Sequence, residues 1–247
     1  AIIAQLGDVN IGLLKNLNIP IIVQNYRDRI PGVCNLTGDY LGTGRLAAEF
    51  FINKGYCHFA YYGISDTVWS RERGAGYEER LARQQYGVHR LLEPSGANEQ
   101  WAYNLETLGA WLKSLPKPVA LFACDDYFAL HISETCKFFG LSVPDEIAIL
   151  GVDNDELLCN ISNPPLSSIV LDVENGGYAA AKVLHELIEK KITRPTNITV
   201  GVVQILSRQS TQKYVIRDKY IMQVVEYIES HYTQPLSVPA LQTLVPL

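Results

Sequence analysis

The chain has 247 residues, room for one large domain or two that share the length. Hydrophobic residues make up 47% and charged residues 19%, which excludes the disordered, collagen-like and disulfide-scaffold classes. The net charge of −5 is too mild to describe a surface that tracks nucleic acid throughout, but it is unevenly spread: residues 190–219 are +6, residues 220–247 are −2 and residues 1–189 are −9.

In chain order, the sequence opens without an initiator Met on a strand-like run, Ile2–Leu6, and closes inside an apolar pattern at Leu244-Val245-Pro246-Leu247. It reads as a fragment. Further strand candidates are Ile21–Gln24, Val33–Leu36, His58–Tyr62, Val88–Leu92, Val119–Ala123, Ile147–Val152, Ser168–Leu171 and Thr199–Leu206. Most are short and apolar on both faces, as strands covered on both sides should be. Helical patterns occupy the gaps, over Val9–Leu17, Leu41–Lys54, Arg71–Gln85, Trp101–Ser114, Tyr127–Phe139 and Gly177–Lys190. Strands alternating with helices predict an α/β fold around parallel sheet.

Residues 207–217 are polar, basic and without period, so they read as a linker, its outer part being 211–217. Beyond it, Asp218 is placed to cap a helix with an apolar face of Ile221, Val224, Val225, Ile228 and Tyr232, and Ser237 to cap another. Two short amphipathic helices cannot close a core alone. Residues 218–247 therefore read as the truncated start of an all-α domain.

Five cysteines form an odd set without C-x-x-C spacing, as expected of reduced, buried thiols in a cytoplasmic protein. No apolar run reaches the roughly 18 residues that a membrane span requires, and no charged-then-apolar leader opens the chain. Five scattered histidines lack metal-ligand spacing, and the sequence holds no G-x-S-x-G, H-E-x-x-H or dinucleotide fingerprint. The short glycine repeats Gly42-Thr43-Gly44 and Gly74-Ala75-Gly76 fall at helix starts and make poor phosphate loops. No catalytic residue, metal or cofactor is expected.

Polar residues at the carboxyl ends of strands say more, because open α/β sheets bind their ligands there. Asp125 and Asp126 follow Val119–Ala123, while Asp153, Asn154 and Asp155 follow Ile147–Val152. Asp8 follows the first run, and Asp39 lies just beyond Val33–Leu36. Each serves equally well as a helix N-cap or first-turn acid. Trp69-Ser70-Arg71-Glu72-Arg73 adds two guanidinium groups and an aromatic plane. Carboxylates that accept from adjacent hydroxyls, an Arg that donates to oxygens and an aromatic over the ring face together suit a neutral polyol. Trp69 is the stacking candidate, with a place in the core as its alternative.

Three segments resemble the effector domain shared by LacI/GalR-type regulators and periplasmic sugar-binding proteins. They are Gly38-Asp39-Tyr40 through Lys54-Gly55-Tyr56, then Arg71 through Tyr77, and finally Val143 through Asn154 with Pro164 through Ile169. The resemblance covers residues 1 to about 210. Residues Ile221 to Tyr232 with Pro235-Leu236-Ser237-Val238 are similar to the first helix of an AraC-type DNA-binding domain, and a sensor placed ahead of that module is the order found in AraC-family regulators of xylose operons.

The resemblance implies a sensor with two Rossmann-like lobes of the periplasmic-binding-protein-like type I fold. Lobe one would hold 1–63 and 172–192, and lobe two 64–171 and 193–210, with the first β-α units of lobe one missing. It implies a pentose effector, D-xylose first, held by Asp153, Arg73 and Asp125, with Asp39 and Asp8 at the cleft edge and Trp69 and Asn154 beside it. Either Asp125 or Asp126 could face the cleft, and Asp125 is the choice. It further implies a homodimer that binds DNA through the C-terminal module and touches no membrane. The alternative is a periplasmic sugar-binding protein of a transporter.

Overall fold

The computed structural model describes residues 1–6, 12, 14, 16, 17, 19–94, 104–215 and 218–245. Asp8 and most of the predicted helix Val9–Leu17 lie outside the described residues, as do Trp101–Tyr103. Two sheets organise the chain. The first contains β1 (Ile2–Leu6), β2 (Ile21–Asn25), β3 (Cys34–Gly38) and β9 (Ile198–Val200) in the order β1-β2-β3-β9, all parallel. The second contains β4 (Phe59–Ile64), β5 (Val88–Glu93), β6 (Val119–Ala123), β7 (Ile147–Val152), β8 (Ser167–Leu171) and β10 (Val202–Leu206). Its order is β10-β8-β7-β6-β4-β5, and only β10 runs antiparallel to its neighbour. The expected α/β architecture is present, and these are its two lobes.

Helices cover the second sheet on both faces. They are α1 (Tyr40–Asn53), α2 (Val68–Ala82), α3 (Leu105–Ser114), α4 (Asp126–Phe139) and the short α5 (Glu156–Ile161). Residues of β6 and β7 are buried at every position, which is why those strands appear in the sequence as continuous apolar runs. Around them pack Ala47, Ala48 and Phe51 of α1, Tyr77 and Leu81 of α2, Leu108 and Leu112 of α3, and Ile132 and Cys136 of α4. The first sheet has a smaller core, Ile22, Cys34 and Ile198 against Ala180 of α6 (Val173–Ile188).

The boundary between the lobes falls elsewhere than expected. Residues 40–63, predicted in lobe one, belong to lobe two. The reason is tertiary: α1 packs on α2 at backbone contact, and β4 is an interior strand between β6 and β5. The glycine repeats make that contact. A Cβ on Gly44 would stand 2.0 Å from the Arg73 carbonyl oxygen, and one on Gly76 2.1 Å from that of Leu41.

The chain crosses between sheets at Asp39, at Asp172 and at Gly201, where the single predicted run Thr199–Leu206 divides into β9 and β10. The third crossing therefore lies at Gly201 and not near Ile192. The crossings are hydrogen-bonded together, Asp39 N to Val200 O at 2.8 Å and Asp172 N to Gly201 O at 3.0 Å.

Part of the predicted linker is docked. A 3-10 turn, Gln209–Thr211, buries Ser210 and Thr211, and the Ser210 hydroxyl donates to Ile149 O at 2.6 Å. Beyond it, the Lys213 ammonium reaches Asp145 at 2.8 Å and Val215 N donates to Lys54 O at 2.8 Å. Two further helices follow, α7 (Lys219–His231), capped by Asp218 through the Tyr220 and Ile221 amides, and α8 (Val238–Gln242), capped by Ser237. Among the described residues from 218 onward, none is buried.

Candidate functional site

The site forms where β6 and β7 end beneath the N-terminal half of α2. Arg73 projects from α2 and is only 3% exposed. Its Nη1 donates to the Cys124 carbonyl at 2.5 Å and its Nη2 to Asp153 Oδ1 at 3.2 Å, while Nε finds no partner among the described residues. Its guanidinium lies 5.4 Å from the Trp69 ring centre and 5.7 Å from that of Tyr40. The cation is thus fixed by one carbonyl, one carboxylate and two aromatic faces.

Asp153 differs from its partner in being open, with a side chain 49% exposed. It occupies the left-handed region at φ +100°, and Asn154 follows at +53°. Non-glycine residues adopt such conformations only where the surroundings over-determine them, and they concentrate at binding sites. The carboxylate retains accepting capacity toward solvent beyond the single bond to Arg73.

Asp125 caps α4 through the Phe128 N–H at 2.8 Å. Burial, with the charge of Asp153 adding to it, pushes its carboxyl up to about 6 against the opposing pull of the Phe128 amide and Arg73. Asp126 turns into the protein, accepting from the Ser168 hydroxyl at 2.6 Å and the Asp155 N–H at 2.8 Å. Burial pushes its carboxyl up to about 7.

Asn154 turns away from Arg73. Its Oδ1 accepts from Arg208 Nη2 at 2.8 Å, while Arg208 Nη1 donates to Leu166 O. Asp39 caps α1 through Gly42 N at 2.9 Å and lines a cavity of about 240 Å³ together with Thr37, Tyr40, Glu72 and Thr199. Tyr40 joins that cavity to the Arg73 group. Across it, Arg29 forms a paired contact with Glu72 at 2.5 and 2.8 Å, and beside it Arg71 holds Asp28 at 2.6 Å.

The structure therefore brings Arg73, Asp153, Asp125 and Trp69 together, places Asp39 at a neighbouring cavity and points Asn154 toward Arg208. Sequence reasoning passes over Tyr40, Ser168, Arg208 and the Arg29–Glu72 pair. Tyr40 has a signal in its place beside Asp39, whereas the other three depend on tertiary contacts. No group of three His, Cys, Asp or Glu residues that could hold a metal occurs among the described residues, and no described helix is long and apolar enough to cross a membrane.

Two sheets linked by three adjacent crossings, with acids and an arginine at the carboxyl ends of strands, define the periplasmic-binding-protein-like type I fold. The chain belongs to the periplasmic binding protein-like domain family, whose model matches residues 48–211. It is 29% identical to the xylose operon regulatory protein of Escherichia coli (strain K12) over 247 aligned positions, 96% of this chain and 62% of that protein. It is 27% identical to the HTH-type transcriptional repressor PurR of Aliivibrio fischeri (strain ATCC 700601 / ES114), over 77% of this chain and 58% of the repressor.

Among solved structures, the xylose-binding transcription activator xylR matches with a TM-score of 0.74 at 27% identity, over 95% of this chain and 63% of that one. A dimeric Lac repressor matches in fold with a TM-score of 0.67 at 20% identity, over 85% of this chain and 75% of that one. The chain thus spans about three fifths of the length of the curated relatives that it matches first. These relatives are regulators and not enzymes, in agreement with the absence of a catalytic motif from the sequence.

Proposed function

We propose that this domain is the sugar sensor of a cytoplasmic transcription regulator and binds a pentose, D-xylose first, in a cleft between the two lobes. One observation carries the reading: a buried Arg73 paired with a half-exposed Asp153, next to Asp125 and under Trp69 and Tyr40. A neutral polyol needs acceptors for adjacent hydroxyls, a donor for a ring or hydroxyl oxygen, and an apolar plane for its C–H face. Asp153 and Asp125 are the acceptors. Arg73 is the donor through its unpaired Nε–H, and Trp69 with Tyr40 supplies the plane. Asp39 contacts the sugar from the crossing side, and the sequence adds Asp8, outside the described residues, as a further candidate.

Sugar held by residues of both lobes favours the closed arrangement, which changes the geometry of a homodimer and with it the fit of its DNA-binding modules to their sites. A hundredfold response requires about 2.7 kcal/mol of differential affinity. The module that reads DNA is of the AraC type and follows the docked segment 207–215. The xylose regulators among the relatives support the effector, and the acidic, Lys- and Arg-free stretch 220–247 supports a DNA contact made by other residues of that module.

Calorimetric titration with D-xylose, L-arabinose, D-ribose and D-glucose tests the reading. Saturable uptake of one pentose, lost in D153A, is the expected result. Silence from every sugar by a demonstrably folded protein would sink it.

A further inference from the structure

Asp126 adjoins Asp125 in sequence, yet its carboxylate addresses a different part of the protein. It is 2% exposed and accepts hydrogen bonds from the Ser168 hydroxyl and from the Asp155 N–H, with the Cys159 thiol as a further side-chain partner. Ser168, itself fully buried, accepts in turn from the Asn154 N–H at 3.0 Å. Both anchored amides belong to the turn that carries Asp153, in which Asp153 and Asn154 stand at φ +100° and +53°. Left-handed non-glycine residues cost on the order of 1–3 kcal/mol each, so such a turn keeps its shape only while its surroundings hold it.

The approach of the Asp126 carboxylate is itself built in. A Cβ on Gly151 would stand 2.2 Å from Asp126 Oδ1, so only glycine at that point of β7 admits the carboxylate beneath the turn. Asp153 N also pairs with Ile169 O at 2.9 Å, which ties the start of the turn to β8, one residue from Ser168. The turn is thus held from below by one carboxylate and one hydroxyl, and it presents Asp153 to Arg73 and to solvent above.

We propose that Asp126 is a positioning residue for the sugar site: through Ser168 and the Asp155 N–H it holds the strained 153–155 turn and thereby aims Asp153. The inference rests on the sugar-binding reading of that site. An amide in place of the carboxylate keeps the Asp155 N–H bond on its oxygen and can donate from its NH2 to the second lone pair of Ser168 Oγ, but the Ser168 hydroxyl proton then loses its acceptor on residue 126. Alanine removes both anchors. Asn therefore recovers the Asp155 anchor that Ala loses and part of the Ser168 contact.

The test is a cycle of titrations with D-xylose on the wild-type chain, D126A, D126N, D153N and the D126A/D153N pair, each checked by circular dichroism for native helix content. D126A, which removes both anchors, is expected to weaken binding at least about tenfold, and D126N clearly less than D126A. If Asp126 acts through Asp153, D126A adds less than about twofold to the penalty of D153N. S168A, which barely changes core volume, should weaken binding in the same direction and keeps the inference testable if D126A does not fold.

Equal affinity of D126A and wild type, or penalties of D126A and D153N that simply multiply, would overturn the proposal. Amide hydrogen exchange supplies an arm without sugar: the Asn154 and Asp155 amides should exchange at least about tenfold faster in D126A than in D126N. If the wild-type chain takes up no sugar, the sugar reading falls, while unchanged exchange at those two amides would by itself refute the positioning role.

Discussion

Asp125 and Asp126 are adjacent carboxyls that burial pushes the same way, from the ordinary 3.8 to about 6 and about 7. Around Asp126 the titratable neighbours are Asp153, whose charge raises it further, Asp155, whose amide stabilises its anion, and the buried thiol of Cys159, itself pushed up to about 12. A carboxyl that titrates higher in the folded chain than in the unfolded one keeps its proton longer when folded. Its contribution to stability is full below about pH 4 and is lost as the pH rises through the folded value. These two residues therefore tilt stability downward between about pH 4 and pH 7. D126N carries no titrating proton there, so its free energy of unfolding in urea should vary less across that range than that of the wild type. Parallel profiles for the two proteins would show that Asp126 is ionised throughout.

At the scale of elements, the α1–α2 contact rests on an absence of side chains. Gly44 lies against the Arg73 carbonyl and Gly76 against that of Leu41, so the two helices approach more closely than any other residue would permit. A methyl group on Gly44 meets backbone, which cannot swing aside as a side chain could. G44A should therefore destabilise the fold by about 1–3 kcal/mol despite the better helix propensity of alanine, read as a lower urea midpoint at unchanged slope. Because Arg73 sits on the opposing strip of α2, the same substitution should also weaken the proposed binding of sugar. A G44A chain as stable as wild type would mean that the helices can slide apart freely.

Much of this level is visible in sequence. Continuous apolar runs mark β4, β6 and β7, the stripe of Ala180, Val183, Leu184 and Leu187 marks α6, and Asp218 and Ser237 mark the starts of α7 and α8. Strand-end acids and Arg73 point to the site by the same local logic. The lobe to which an element belongs is not visible, because an interior strand reads alike in either sheet. That is how residues 40–63 come to be expected in the wrong lobe and why β9 and β10 read as one run. Nor can sequence separate the roles of Asp125 and Asp126: both follow the same strand, and only the partners Ser168 and Asp155, brought in from β8 and the turn after β7, distinguish them.

For the molecule as a whole, the informative segment is 207–215, which joins lobe two to the last two helices. Its polar, aperiodic sequence suits a loose tether, yet Arg208 bonds Asn154 and Leu166, Ser210 and Thr211 are buried against β7 and β8, and Lys213 reaches Asp145. Side chains that pair with strands need no hydrophobic pattern, so periodicity cannot reveal such docking. The consequence is mechanical: through Val215, bonded to Lys54 at the end of α1, the segment is tied to lobe two as far as residue 215. Arg208 moreover touches the turn that carries Asp153. From 218 onward none of the described residues is fully buried, and none of their apolar side chains packs against the cores of the two sheets. A chain cut after residue 217 should thus melt within about 1 °C of the full chain, since residues that pack on neither core contribute little to its stability. One cut after residue 206 should melt several degrees lower, because it leaves Ser167 and the Ile149 carbonyl without their buried partners. Thermal unfolding followed by circular dichroism separates the two, and equal melting of both cut chains would show 207–215 to be a tether after all.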